Sequence, residues 1–331
     1  MVAGRMRVMD RRRFLAAAGA GSLALALDPL GLVARASGGI PTVLVTADLE
    51  SHVVAVDLRS GRVVSRCETA PGPRSIESVD MNAALVGHTE AGAISILVAA
   101  GGLGLRAEID AFEEPRYTAS HHRHLYAYVT DSAREEVVVV DSREARVVWR
   151  TRVPGPARHI SVSADGRTIW TVLGNAASRV AVLDARDPRR PRLVRTFAPP
   201  FLAHDVGFAP DGRTVWLTSG DERRVAIYLG ERRPSRILAA GAAPQHVAFA
   251  REKAFVASGD DGTVRRHRLD GTLVREVRVP TGSYNVAFGS DRLVTPSLGR
   301  GTVTFLDRNG RVSAVRQVAR AAHDACVVYA A

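Results

Sequence analysis

One turn recurs along this chain with the strands around it, and the interval between its copies leaves few folds open. Arg158-His-Ile-Ser-Val-Ser-Ala-Asp-Gly-Arg-Thr-Ile-Trp170 is answered by His204-Asp-Val-Gly-Phe-Ala-Pro-Asp-Gly-Arg-Thr-Val-Trp216. Weaker copies are Gln245-His-Val-Ala-Phe249 and Tyr284-Asn-Val-Ala-Phe288. The first apolar residue of each copy serves as an anchor: Ile76, Thr118 (a poor match), Ile160, Val206, Val247, Val286 and Ala325, with spacings of 42, 42, 46, 41, 39 and 39. A repeat of about 40–45 residues with four short strands is the signature of a β-propeller blade.

The strands follow from alternation and turns. Within a repeat, strand a carries the anchor, Asp211-Gly-Arg makes a tight hairpin turn, and strand b follows at Thr214–Thr218. Strand c reads Val-x-Val-x-Asp at Val53–Asp57, Val137–Asp141, Val180–Asp184 and Val303–Asp307. The first repeat lacks a strand a before Val43, and the last has only a strand a, Ala325–Tyr329. The C-terminal strand should therefore complete the N-terminal blade, giving an all-β, seven-bladed propeller over 40–331 with no exposed sheet edge at the seam. The steady period argues against a β-sandwich or two domains. Blade two lacks the strand-c Asp and carries Gly-rich Ala99–Gly104, and blade six reads Val264-Arg-Arg-His-Arg-Leu269; both are expected to be irregular or exposed.

The N-terminus stands apart. Arg11-Arg-Arg-Phe-Leu15 precedes a short Ala/Gly-rich apolar run, and Ala34-Arg-Ala36 offers a small-x-small cleavage site. The run, of about 14 residues, is too short to cross a hydrocarbon core of ~30 Å. Residues 1–36 resemble a twin-arginine signal, which implies export of a folded protein to the periplasm or beyond. The formal charge is +11, of which six Arg and two Asp of the leader account for +4. Lys253 is the single lysine, and the Arg residues are scattered. Nucleic acid or another polyanion is thus a minor expectation, resting on long-range field alone. With 5% aromatic residues, stacking platforms for sugars are disfavoured.

Cys67 falls on the outermost strand of its blade and Cys326 on the innermost strand of the same blade. Three strand spacings separate them by about 14 Å, beyond the ~7 Å Cα separation that a disulfide tolerates. Two free thiols, mostly buried, are expected.

Equivalent positions of the repeats can be compared directly. Two residues before each anchor stand Arg74, Arg116, Arg158, His204, Gln245, Tyr284 and His323. One residue before stand Ser75, Tyr117, His159, Asp205, His246, Asn285 and Asp324. Fourteen positions without an aliphatic residue read as a polar rim at the channel mouth. Arg74, Arg116 and Arg158 form an arc whose forked guanidinium groups suit a carboxylate or phosphate. With Gln245 and Tyr284 they are the candidate ligand-binding residues; pairing with nearby acids is the alternative for the Arg arc. His204, His246 and His323, with Asp205 and Asp324 beside them, form a second arc able to hold a divalent metal or to act as acid and base. His159 lies between the arcs. One His per blade lacks a local zinc spacing, so structural hydrogen bonding is the competing reading. His52 and His88 would add ligands if they face the same mouth.

The residue after each anchor is small except Glu77, which is a candidate base alongside His246 or, more simply, a partner of Arg74. His121-His-Arg-His124 aligns with the Asp-Gly-Arg turn on the opposite face and reads as a solvated turn.

Tyr128-Val-Thr-Asp131, Ala209-Pro-Asp-Gly-Arg213 and the Val-x-Val-x-Asp strands resemble YVTN-type (YncE-like) propeller repeats of exported bacterial proteins, over essentially the whole of 40–331. That resemblance implies an extracytoplasmic seven-bladed ring, a relationship to lactonase-type propellers, and no transferable catalytic residue. No c-type haem attachment motif is present. The leading expectation is a monomeric, non-catalytic protein that binds an anionic small molecule or acidic protein partner at the mouth, with a divalent metal as the one cofactor in view. A metal-dependent, lactonase-like hydrolase or lyase using His204, His246, His323 and Glu77 is the alternative.

Overall fold

The computed structural model describes residues 39–121, 126–174, 176–230 and 232–331. The leader read at 1–36 lies outside the described residues. Among those described, 28 strands form seven four-stranded antiparallel sheets, each a blade, and there is no α-helix; a single 3₁₀ turn spans Asp48–Glu50. Among the described residues, no helix is long and apolar enough to cross a membrane.

Blade one is built from both ends of the ring. Its inner strand, Ala325–Ala330, pairs antiparallel with Ile40–Ala47 from Val45↔Ala325 to Ile40↔Ala330. Beyond these lie His52–Asp57 and Val63–Glu68. The seam is reinforced at its inner end: Thr46 N donates to the Asp324 carbonyl (3.0 Å), His323 N donates to the Thr46 carbonyl (3.0 Å), and Asp324 N donates to Thr46 Oγ1 (2.9 Å). Cys67 and Cys326 are free, at the outer and inner strands of this blade.

The core is not one mass but seven apolar layers, one between each pair of neighbouring blades. Alternating side chains of a central strand face the two neighbours, which is why strands such as Glu136–Asp141 are buried on both faces. Between blades four and five, Trp170 meets Tyr228 edge to face at 5.5 Å and Phe197 at 5.2 Å, arrangements that aromatic quadrupoles favour. Near the axis the strands converge and room vanishes. A Cβ at Gly207 would stand 2.7 Å from Val247 Cγ1 of the next blade, so this inner position admits no side chain without displacement.

The repeated Asp that ends strand c is a turn former. Asp141 Oδ1 accepts from the backbone N–H of Arg143 and Glu144, Asp184 Oδ1 from Arg186, and Asp307 Oδ1 from Asn309 and Arg311. These are Asx-type turns leading into the outer strand. Two expectations need correction. Blades two and six are regular four-stranded sheets; the short inner strand belongs to blade seven, Ala287–Gly289. His121 is buried, with Nε2 2.9 Å from the Ala164 carbonyl of the next blade, so it braces two blades and is not a solvated turn residue. The rest of that cluster lies outside the described residues.

The seam generates a test. Deleting residues 325–331 removes the inner strand of blade one and uncovers the edge of Ile40–Ala47. Each large side chain lost from burial costs about 1.5–3 kcal/mol, so the melting temperature should fall sharply and the protein should aggregate through the freed edge. Thermal denaturation with light scattering checks this; a truncated protein that melts as the full chain does would contradict closure by this strand.

Candidate metal centre at the channel mouth

The inner strands deliver their polar residues through a shared irregularity. The ladder slips between Pro73 and Ser75, Pro115 and Thr118, Ala157 and Ile160, Ala203 and Val206, and Pro244 and Val247. Such a bulge releases the intervening residues from strict alternation. Both members of a pair such as Arg158-His159 therefore reach the axis side. The seven residues immediately before the anchors all line the central channel, of about 390 Å³. Six of the seven residues before those, all but Arg116, line a basin of about 580 Å³ above it.

Three imidazoles meet where channel and basin join. His159, His204 and His246 come from blades four, five and six, and one ligand atom from each lies within 4.8 Å of the others. The first two are buried and the third is half-buried. A tetrahedral ion with bonds of about 2.1 Å needs its nitrogens ~3.4 Å apart, so side-chain adjustments of about 1 Å would close the triad on one centre. Burial, then the neighbouring imidazoles, hold His159 and His246 well below the usual histidine range. These rings are neutral near pH 7, the form that ligates a metal.

Each ring is supported. Tyr117 stacks on His159 with centroids 3.6 Å apart. His246 Nδ1 lies 3.5 Å from Asp205 Oδ2, the carboxylate–histidine pairing that orients metal ligands and leaves the other nitrogen for the ion.

The remaining candidates fall elsewhere. His323 is not in the triad: its Nδ1 faces Asp48 at 3.5 Å, and burial pushes its pKa down to about 3. Asp48 also takes Arg74 at 3.5 Å. Asp205 and Asp324 are engaged as ties between blades. Asp205 Oδ2 accepts from Val247 N (3.1 Å), and Asp324 accepts from Ile76 N (3.0 Å), Ala325 N and Asn285 Nδ2. Burial raises both carboxyls to about 7. Tyr284 and Gln245 line the basin, and the Tyr284 hydroxyl donates to Asp260 (2.6 Å). His52 is held by the Glu50 carbonyl, and His88 is buried against Ser95.

The Arg arc is divided. Arg116 pairs with Glu114 and Arg74 with Asp48. Arg158 has no carboxylate partner among the described residues; burial lowers its pKa, Tyr117 beside it opposes this, and Arg116 and Arg74 add to the lowering. Glu77 does not pair with Arg74. It lines the channel, accepts from Ser120 Oγ (3.2 Å), and burial pushes its pKa up to about 8.

His159 is the triad member that the sequence candidates omit. Its signal was ring adjacency: consecutive blades four, five and six each supply a His, whereas blade seven, with Tyr284 and Asn285, separates His246 from His323.

Glu77 makes stability depend on pH. It holds its proton to about pH 8 when folded, whereas an ordinary glutamate releases it near 4.5. Between these values the native state binds more protons, so this group lowers stability as pH rises through the window. Glu77→Gln, neutral throughout, should gain in melting temperature over the parent as pH goes from about 5 to about 8, by about 2–4 °C for each kcal/mol. A difference independent of pH would contradict a buried, protonated Glu77.

No protein-family description matches this sequence, and no curated protein matches it significantly. Solved structures do. A functionally unknown protein from Desulfotomaculum acetoxidans has a TM-score of 0.76 at 11% identity, covering 88% of this chain and 99% of that one. Hydrazine synthase of Kuenenia stuttgartiensis has a TM-score of 0.67 at 16% identity, covering 81% and 92%. Apo AztD from Citrobacter koseri has a TM-score of 0.65 at 10% identity, covering 88% and 99%. At these identities the likeness is one of fold: this chain is a seven-bladed β-propeller.

Proposed function

We propose that this propeller is a binding protein whose channel mouth takes one divalent transition-metal ion on His159, His204 and His246. The carrying observation is the convergence of three imidazole nitrogens within 4.8 Å, from three consecutive blades. Nitrogen donors suit zinc and its neighbours better than calcium or magnesium, which prefer oxygen. Three protein ligands leave a fourth position toward the basin. The sequence resemblance to a twin-arginine leader at 1–36 supports an exported setting.

An anionic ligand has its own support. Arg158 is half-buried, without a carboxylate partner among the described residues, and lines the same basin. A basin of about 580 Å³ suits a small anion better than an acidic protein chain. A hydrolase or lyase would additionally require a base at the bound ion; Glu77, the sequence candidate, hydrogen-bonds Ser120 and lines the channel.

Calorimetric titration of metal-free protein with Zn²⁺ tests the reading. One ion per chain is expected. His159→Ala or His204→Ala should weaken binding by more than the ~10–100-fold typical of losing an outer partner, and Asp205→Asn by about that amount. His323→Ala should leave affinity within about threefold, since outer-partner effects begin at ~10-fold. Loss of binding in His323→Ala with retention in His159→Ala would overturn the triad.

A further inference from the structure

We infer that the ion does not bind alone: the basin takes a small anion with two oxyanion groups, one completing the metal's coordination and the other held by Arg158. This inference rests on the metal reading above and specifies what shares the site.

Charge is the first argument. Three neutral imidazoles bring no negative charge, so a divalent ion would place two positive charges in a largely buried site. Arg158 adds a third within the same basin. The buried carboxylates nearby are already engaged, and the other two that line the basin, Asp221 and Asp260, are exposed to solvent. Asp205 serves Val247 N and faces His246, Asp324 serves Ile76, Ala325 and Asn285, and Asp48 is shared by Arg74 and His323. A buried charge without a counter-charge is strongly disfavoured, so an ion on the triad calls for an anion from outside.

Geometry is the second. Arg158 and Tyr117 line the same basin, close enough for each to shift the other's pKa, and the Tyr117 ring lies flat against His159 at 3.6 Å. The guanidinium is thus about one phenol ring from the triad, a span that a short dicarboxylate covers. The planar guanidinium fork matches a carboxylate in bidentate geometry. The basin is the open side of the triad: Arg158, His204 and His246 all line it. The ion and the anion then stabilise each other's binding reciprocally, as linkage requires.

The test uses full chain loaded with Co²⁺, whose visible spectrum reports its ligands, and malonate as the probe. Malonate should change the spectrum and bind the Co²⁺-loaded protein at least about tenfold more tightly than the metal-free protein, a coupling of the size common between linked sites. Acetate, with one carboxylate, should bind far more weakly. Arg158→Gln should remove most of malonate's advantage over acetate, and Arg158→Lys should restore part of it. Malonate affinity that is equal with and without Co²⁺, and an unchanged spectrum, would overturn the shared site while leaving the metal reading intact. An Arg158-dependent affinity for malonate with no Co²⁺ bound at the triad would overturn both.

Discussion

Pairing of Ile40–Val45 with Ala325–Ala330 is the constraint on which the site depends. An open array of blades would spread equivalent positions along a line. The closed ring points all seven toward one axis, where side chains from distant parts of the sequence become neighbours. The same seam holds His323 and Asp324 in place through Thr46. Closure also sets the packing: each blade shares an apolar layer with both neighbours, and the layers leave so little room near the axis that Gly207 lies against Val247.

Within that crowded centre, the inner-strand bulges decide which polar groups are presented. In blades two to six the ladder slips at the same place, just before the anchor. Without the slip, strict alternation would turn one residue of each pair into a blade. With it, His204 faces the basin and its neighbour Asp205 both lines the channel and bonds the next inner strand. Polar residues at the mouth thus divide their labour. Asp205 and Asp324 tie blades together, Asp48 pairs with Arg74 and faces the neutral His323 ring, and the imidazoles of blades four to six face one another.

The blade count, the strand-c Asp positions and the seam strand were legible because they follow from period and alternation, which local sequence carries directly. So was the polar character of the fourteen mouth positions. The pairing among them was not. Arg74 and Glu77 lie three residues apart in sequence, yet Arg74 turns to Asp48 of the neighbouring blade and Glu77 to Ser120 of another. Those choices depend on side-chain direction at bulged residues, where parity fails. The place of His159 beside His204 and His246 is hidden in the sequence for the same reason. Its place one residue before the anchor differs from that of His204, and only the bulge makes the two positions converge. His121 was misjudged because the neighbouring blade's Ala164 carbonyl, remote in sequence, meets its ring.

The central claim is that three imidazoles from consecutive blades form one metal centre. X-ray absorption spectroscopy of the Zn²⁺-loaded protein tests it most directly. The account predicts three imidazole nitrogens at about 2.0–2.1 Å with one further light-atom ligand, and loss of the imidazole scattering pattern when His159 and His204 are both replaced by Ala. A spectrum dominated by oxygen ligands, or one unchanged by that double substitution, would contradict it.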